Sequence, residues 1–315
     1  MFHTVLCDLL GIEYPIIQGA LGGVRAPELA SAVSNAGGLG VLAAWGLSVE
    51  ELREQIRLTR SLTDKPFAVN IMPLGPAYTM ERARLAVEEG VRIVTTGRGD
   101  PREPVVGLLK EHGITVIPVV PTVRHALRVE AEGADAVVAS GGEAGGHVGQ
   151  VATLPLVPQV VDAVKIPVIA AGGIGDARGF VAALALGACG VQIGTRFLAT
   201  YESGISAVMK GKILQASEED TVVTPILTGK PVRVIRSGAI REYDALEKAG
   251  ATAEELARVA AGIRRDRQRD EEAATIASGQ IAGLIKELAH AGAIVRQIVA
   301  DAQQICARLD GLARG

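Results

Sequence analysis

Residues 166–179 read IPVIAAGGIGDARG, and residues 191–200 read VQIGTRFLAT. The first stretch contains a short apolar run without alternating polar residues, which is typical of a parallel strand that is covered on both faces. The second contains a shorter run with the apolar residues Val191 and Ile193. Each run ends in glycine, and apolar residues three and four apart follow the first of them in Ala177–Leu186, as in a helix. The two stretches therefore predict successive strand and helix units of an α/β protein.

Six further runs of this kind precede them along the chain. Segments with helical spacing of apolar residues, such as Pro27–Ala36 and Ser48–Arg60, separate the runs and begin near Pro or Ser. We predict eight parallel strands: Tyr14–Gln18, Gly38–Ala43, Phe67–Ile71, Val91–Thr95, Ile114–Val119, Ala134–Ala139, Pro167–Ala171 and Cys189–Ile193.

The eight strands predict a closed barrel. Strands without a polar face need helices outside and each other inside, and closure leaves no free edge. An open doubly wound sheet is the alternative, but it would need a GxGxxG fingerprint after the first strand, and residues 18–27, QGALGGVRAP, do not supply one. We therefore expect a (β/α)8 TIM barrel in residues 1–200.

The strand pattern weakens from about Glu202 onward. We expect residues 201–315 to form a lid segment over the barrel and a helical extension along its outer helices. Helical spacing is found in three stretches, Ala253–Ile263, Gln280–Ala289 and Val295–Leu309. The charged run RRDRQRDEE at 264–272 predicts a solvated helix face or an exposed loop.

Composition and charge exclude several classes of function. The formal charge of the 315-residue chain is −3, and Lys and Arg are scattered, which argues against a nucleic-acid partner. The three cysteines are far apart and lack ligand-like spacing, so we expect reduced thiols and no metal site. No basic amino-terminal region and no apolar run of ~18 residues is present, so we expect a cytoplasmic location and no membrane partner.

Two glycine turns follow the seventh and eighth strands. Backbone N–H groups of Gly172, Gly173, Gly194 and Thr195 can approach a phosphate closely, and the helices that follow would present their positive ends. Either turn alone has an ordinary explanation as a strand end. The presence of both at the two strand ends where barrels often bind phosphate favours a phosphate site.

The loop after the sixth strand, SGGEAGGHVGQ at 140–150, contains the only one of the five histidines that falls at a strand's carboxyl end. An imidazole with an ordinary pKa of about 6.5 suits a general base near neutrality. We therefore predict that His147 is catalytic, the alternative being a histidine that holds the loop. Glu143 is predicted either to orient His147 or to cap the following segment, and has no assigned catalytic step.

Amide and hydroxyl side chains also stand at strand ends, on Gln18, Asn70 and Thr96. Each could bond to a flat ligand or to a neighbouring loop, and both alternatives stay open. The sequence has no Ser-His-Asp order and no HExxH motif, so a hydrolase is not supported.

These residues resemble the nitronate monooxygenase family, formerly called 2-nitropropane dioxygenases, and its sister group, the flavin-dependent enoyl-acyl-carrier-protein reductases of the FabK type. EAGGH, AAGGI and GTRF in that order form a specific combination. The similar stretches span nearly the whole barrel and reach residue 284: PIIQGALGG, SNAGGLG, DKPFAVNI, VTTGRGDP, ADAVVASGGEAGGHVG, IPVIAAGGIGDARG, VQIGTRFLAT and SGQIAGL.

The resemblance implies a non-covalently bound FMN, and it implies that His147 is the catalytic histidine. It places the phosphate on the two glycine turns and several other residues about the ring and ribityl chain. The implied cofactor-binding set is Gln18, Gly19, Asn70, Gly141, Gly146, Gly172, Gly173, Gly194, Thr195 and Gln280.

The first functional hypothesis is an FMN-dependent nitronate monooxygenase that oxidises alkyl nitronates with O2. The alternative on the same scaffold is an NAD(P)H-dependent enoyl-acyl-carrier-protein or quinone reductase, and a third is a non-redox barrel that binds a phosphate ligand. Many reductases of the group carry a His-Pro pair where this chain has Ser206 and Ala207, which argues against them, whereas VTTGRGDP and VIPVVPT look more like the reductases. We expect a small-molecule substrate and leave a homodimer open.

Overall fold

A computed structural model describes residues 2–97, 105–266 and 275–314. The strands are β1 Ile16–Gln18, β2 Gly40–Ala43, β3 Phe67–Ile71, β4 Ile93–Thr96, β5 Thr115–Val120, β6 Val137–Ser140, β7 Gly146–His147, β8 Val168–Ala171, β9 Gly190–Ile193, β10 Thr221–Thr224 and β11 Val232–Ile235.

Helices follow most strands. They are α1 Val5–Leu10, α2 Pro27–Asn35, α3 Val49–Leu62, α4 Pro76–Glu88, α5 Val105–Glu111, α6 Val123–Ala131, α7 Thr153–Ala163, α8 Ala177–Ala185, α9 Thr195–Leu198, α10 Ala207–Gln215, α11 Gly238–Lys248, α12 Ala253–Asp266 and α13 Ala291–Arg314, with a 3-10 segment at Gln280–Leu284.

Eight parallel strands form the barrel in the order β1-β9-β8-β6-β5-β4-β3-β2. A parallel bridge between Ile17 and Leu39 joins the first and last of them, with the Leu39 N–H donating to the Ile16 carbonyl at 2.9 Å. The (β/α)8 barrel is therefore confirmed, and the open sheet is excluded because no edge remains between β1 and β2.

Each predicted barrel strand overlaps an observed one, and Phe67–Ile71 matches at both ends. The sixth prediction starts three residues early, since the ladder begins only at Val137. Ala134 and Ala136 are nevertheless buried, at 6% and 0% exposure. An apolar run therefore shows where the chain is buried, and at this strand burial begins at Ala134, before the pairing with neighbouring strands begins at Val137.

Helix α1 lies at the amino-terminal end of the barrel. Its Leu6, Cys7 and Leu10 are buried in the same apolar cluster as the inward-facing strand residues. Burial of one leucine stabilises the fold by about 1.5–3 kcal/mol. The Thr4 hydroxyl, just before the helix, donates to the Cys189 carbonyl at 2.6 Å. This end of the barrel is packed with side chains, so the opposite end is the one available for a site.

The remainder of the chain adds two features. Strand β11 pairs with β10 on one side and with β7 on the other in an antiparallel sheet, which shares an apolar cluster with α11 and α12. We call β10, β11, α11, α12 and their connections, residues 221–266, the cover sheet unit. Helix α13 packs against α2 and α8, where Ile294 and Val295 join the cluster that contains Phe180.

The carboxyl-terminal predictions had mixed outcomes. The helices at 253–263 and 295–309 are confirmed within α12 and α13. The helix predicted at Gln280–Ala289 is wrong, because only a 3-10 segment forms there. Its start is tied to another loop, with the Gln280 N–H donating to the Glu143 carbonyl at 2.9 Å. Most of the charged run at 264–272 lies outside the described residues, and the division at residue 200 stays a prediction.

No helix within the described ranges is long and apolar enough to cross a membrane.

Candidate active site

Three connections meet at the carboxyl ends of the barrel strands. They are the loop from β6 to α7, the turn after β8 and the turn after β9. Residues 278–280 join the first of them to the last. The Gly279 N–H donates to Oγ1 of Thr195 at 2.8 Å, and the Gln280 N–H donates to the Glu143 carbonyl. A Cβ atom at Gly279 would lie 2.5 Å from that carbonyl oxygen, so only glycine fits this contact.

The two predicted glycine turns lie side by side. Strands β8 and β9 pair in parallel, with Ala171 opposite Gln192. Gly172 and Gly173 have φ angles of 97° and 70°, a region that favours glycine. Among the described residues, no protein acceptor receives the N–H groups of Gly172, Gly173, Gly194 or Thr195.

Space for a ligand adjoins these amides. A Cβ atom placed at Gly194 would have no neighbouring atom within 4 Å in the described protein. Backbone donors without acceptors beside open space are the chemistry of an anion site. The structure therefore brings together the four residues predicted to bind a phosphate.

The helices that follow the two glycine turns, α8 and α9, offer fewer free N–H groups to an anion than the sequence suggests. The Asp176 carboxylate caps α8 and accepts from the N–H groups of Arg178 and Gly179 at 2.9 and 3.4 Å. Helix α9 comprises only four residues. The Asp176 side chain thus already satisfies two of the first N–H donors of α8. That the helix ends serve the phosphate stays a prediction, and the loop amides remain.

Glu143 and Thr153 connect the β6 loop with the start of α7. The Glu143 carboxylate accepts from the Thr153 N–H at 2.9 and 3.0 Å, and one of its oxygens lies 2.9 Å from the Thr153 hydroxyl. Of the two roles left open for Glu143, the structure shows the capping one. Thr153 is only 8% exposed, and sequence reasoning missed it.

Gly141 and Gly146 lie in the same loop with different surroundings. The Gly141 N–H donates to the Ala171 carbonyl at 2.9 Å, and a Cβ atom there would overlap Thr153. Gly146 has a φ of 77° and lies opposite Arg233 in the β7–β11 pairing. The N–H of Gly141 thus bonds within the barrel. Gly146 belongs to strand β7, Gly146–His147, which leaves the barrel to pair with β11 and which we call the arm.

His147 lies on that arm. It pairs with Val232 of β11, and the next N–H along, that of Val148, donates to the Pro231 carbonyl at 3.1 Å. Its Nε2 atom lies 3.1 Å from Oγ1 of Thr228, in the turn between β10 and β11. The imidazole is only partly buried. The arm therefore attaches the histidine to the cover sheet unit.

Sequence reasoning also missed Thr228, although a signal was present. Residues 225–231 read PILTGKP between two apolar runs, which is typical of a hairpin turn. What the pattern does not contain is the partner of that turn, because Thr228 and His147 are 81 positions apart.

Arg233 ties the cover sheet unit to the glycine-rich loop. Its Nε donates to the Gly142 carbonyl and its Nη1 to Oγ1 of Thr221, both at 3.0 Å. Partial burial lowers the pKa of Arg233, and the nearby Glu143 partly opposes this by raising it. The guanidinium remains a hydrogen-bond donor to both acceptors.

The remaining predicted residues line the other side of the barrel mouth. The Gly19 N–H donates to the Ile193 carbonyl at 2.7 Å, and a Cβ atom there would lie 3.5 Å from the Cα of Gly194. Gly19 thus adjoins the second glycine turn. The Gln18 side chain is 1% exposed and bonds to the Gly19 carbonyl and the Val41 N–H, so it joins β1 to β2.

Asn70 bonds across two strands. Its Nδ2 atom donates to Oγ1 of Thr95 at 2.8 Å, and its side chain is buried. Gln280 is exposed at the start of the 3-10 segment. Ligand contacts by Gln18, Asn70 and Gln280 stay predictions.

Comparisons with known proteins cover most of the chain. The sequence model of the family described as nitronate monooxygenase matches residues 3–301. A (3aS,4S,5R,7aS)-5-hydroxy-7a-methyl-1-oxo-octahydro-1H-indene-4-carboxyl-CoA dehydrogenase of Mycobacterium tuberculosis is 39% identical, and the match covers 95% of this chain and 96% of that protein. A probable nitronate monooxygenase of Staphylococcus saprophyticus is also 39% identical, over 76% of this chain and 81% of that protein.

Solved structures agree with the fold. FabK from Thermotoga maritima superposes with a TM-score of 0.90 at 41% identity, covering 99% of this chain and 100% of its own. A nitroalkane oxidase from Streptomyces ansochromogenes superposes with a TM-score of 0.83 at 31% identity, covering 96% of this chain and 99% of its own.

Proposed function

The chain belongs to the nitronate monooxygenase family, and from this premise we propose that it is an FMN-dependent oxidoreductase that oxidises alkyl nitronates with O2. The single observation that carries the proposal is the group of four backbone amides without protein acceptors at the ends of β8 and β9. Amides in this number and position fit a phosphate monoester at the place where barrels bind one.

The residues present fit FMN. Gly172, Gly173, Gly194 and Thr195 would hold its phosphate, with room beside Gly194 for the rest of the molecule. Gly19, Gln18, Asn70, Gly141, Gly146 and Gln280 are the further contacts that the family resemblance implies. The bound flavin would supply electron transfer, which no amino-acid side chain of this site provides.

His147 would supply the proton chemistry. With a neutral nitroalkane such as 2-nitropropane, its imidazole would take the proton from the carbon that bears the nitro group and so form the nitronate. With a nitronate, which has already lost that proton, the imidazole would position that carbon. Thr228 contacts Nε2 and so restrains the orientation of the ring. Three charged residues lie on the segments next to the arm. Glu143 is in the loop after β6, Lys230 is in the turn between β10 and β11, and Arg233 is in β11. The Glu143 carboxylate is engaged by Thr153.

Oxygen consumption by the flavin-loaded protein tests the proposal. We expect O2 uptake with propionate 3-nitronate or 2-nitropropane. No turnover by protein that has bound FMN would contradict the nitronate reaction. A colourless preparation that remains colourless after incubation with FMN would contradict the flavin itself and favour a non-redox barrel.

An acyl-thioester oxidoreductase is the second candidate, and one observation favours it. At the same 39% identity, the M. tuberculosis CoA-thioester dehydrogenase matches 95% of this chain and the S. saprophyticus nitronate monooxygenase 76%. Among the solved structures, the T. maritima FabK is 41% identical to this chain and the S. ansochromogenes nitroalkane oxidase 31%. Anaerobic reduction of the flavin by NADH, NADPH or an acyl-CoA at a catalytic rate, without activity on nitronates, would establish this candidate in place of the first.

A further inference from the structure

Thr153 contacts the peptide groups that carry two of the anion-binding amides. Its hydroxyl oxygen lies 2.9 Å from the Gly172 carbonyl oxygen and 3.3 Å from that of Ala171. The Ala171 oxygen also accepts from the Gly141 N–H at 2.9 Å. Both carbonyl groups therefore face the start of α7.

The direction of a carbonyl fixes the direction of the next N–H. In a trans peptide the C=O and N–H bonds point in opposite directions, and the described residues contain no cis peptide bond. The Gly172 carbonyl shares its peptide with the Gly173 N–H, and the Ala171 carbonyl shares its peptide with the Gly172 N–H. Both N–H groups therefore point away from Thr153.

This orientation needs support. Glycine adopts positive and negative φ with similar ease, so a peptide between two glycines can rotate at low cost. Rotation of the Gly172–Gly173 peptide would direct a carbonyl oxygen to the place of the N–H, and that oxygen would repel an anion. Thr153 is the side chain that contacts the carbonyl in its present direction.

Glu143 holds Thr153 in position. It binds both the backbone N–H and the hydroxyl of Thr153, which limits the movement of that side chain. The hydroxyl has one proton, which it shares among Glu143, Gly172 and Ala171. Close packing also explains the glycine at position 172, because a Cβ atom there would lie 2.9 Å from the threonine oxygen.

We propose that Thr153, held by Glu143, is a positioning residue that directs the Gly172 and Gly173 N–H groups toward the phosphate of the cofactor, so that the protein selects FMN over riboflavin. The inference rests on the proposed function, since it takes FMN as the cofactor. Thr153 touches no cofactor itself and acts through the two glycine peptides.

Titration of the flavin-free protein with FMN and with riboflavin, followed by flavin fluorescence, tests the inference. Riboflavin lacks the phosphate and thus measures every other contact. Thr153→Val removes the hydroxyl at nearly constant shape, and we expect FMN to bind about 10-fold more weakly, the upper end of the range for one lost hydrogen bond. Riboflavin should bind within about 3-fold of wild type.

Two variants accompany this measurement. Thr153→Ser keeps the hydroxyl and should retain the wild-type preference for FMN. Thr59→Val is a matched control, because Thr59 is fully buried in α3 and its hydroxyl donates to the Gln55 carbonyl at 2.8 Å. It should leave both affinities unchanged. Should valine prevent folding, Thr153→Ala gives the same comparison.

The outcomes are distinct. A wild-type protein that prefers FMN, with an unchanged FMN-to-riboflavin ratio in the Thr153 variant, would overturn the inference and leave the proposed function standing. An equal loss of both affinities would also overturn it, since Thr153 would then support the fold in general. Binding of neither flavin to the wild type would overturn the proposed function and the inference with it.

Discussion

The two halves of the candidate site are built in different ways. The β8–β9 side consists of backbone amides from turns only 22 positions apart in the chain, between strands that pair directly. The histidine side consists of side chains from remote segments, and His147 meets Thr228 across 81 positions. The comparison teaches that the proposed phosphate contacts come from the barrel itself, whereas the proposed catalytic side chain depends on the cover sheet unit.

The largest expected effect lies on the backbone side. Gly172→Val would force a side chain into a positive φ and toward the Thr153 hydroxyl. Strain of ~1–3 kcal/mol and lost amide contacts to a charged group together predict FMN binding weakened by about 1000-fold. Titration with FMN checks this, and circular dichroism shows whether the barrel is intact. Wild-type affinity in this variant would mean that the turn does not contact the phosphate.

The next effect lies on the side-chain half. His147→Ala should leave FMN bound and lower turnover by about 100-fold, which is typical of lost acid–base help. Steady-state kinetics and the flavin absorbance of the same preparation provide both readouts. Unchanged turnover would indicate that this histidine only holds its loop.

A smaller effect is expected for the residue that contacts the histidine. Thr228→Val removes the hydroxyl beside Nε2, and we expect turnover to fall about 5- to 10-fold, in line with one neutral hydrogen bond. Thr228→Ser keeps the hydroxyl and should restore wild-type turnover in steady-state kinetics. Equal turnover of all three proteins would show that the contact between Thr228 and His147 does not affect the reaction.

The smallest effect is expected at the closed end of the barrel. Burial raises the pKa of Cys189 to about 12, so its thiol stays protonated near neutrality. Cys189→Ser should leave turnover and FMN binding within about 2-fold of wild type. Mass spectrometry after iodoacetamide treatment at pH 8 should find Cys189 unmodified in the native protein and modified in denaturant. Rapid modification of the native protein would show that this end is open.

Much of the barrel side was predictable from local patterns. Runs such as Val168–Ala171 are apolar throughout, and such runs predict strands that are buried on both faces. Glycines at strand ends also predict turns from the local sequence, and in the structure Gly172 lies beside the β9 turn as expected. The predicted grouping of the four phosphate residues follows from strand order alone.

Other features were not predictable from those patterns. Thr153 looks like an ordinary first residue of a helix, and its contact with Gly172 requires β6, β8 and α7 to be packed together. Residues 280–289 have helical spacing, yet the bond between Gln280 and Glu143 and the close approach of Gly283 to Glu218 leave only one 3-10 segment.

The sequence by itself determined the eight barrel strands, the closed barrel and the positions of the glycine turns, because strand burial and turn chemistry depend on residues within about ten positions of one another. Only the tertiary structure decided which side chains support those turns and which segment contacts His147. Those contacts join residues up to 81 positions apart, and no local period encodes a partner at that distance.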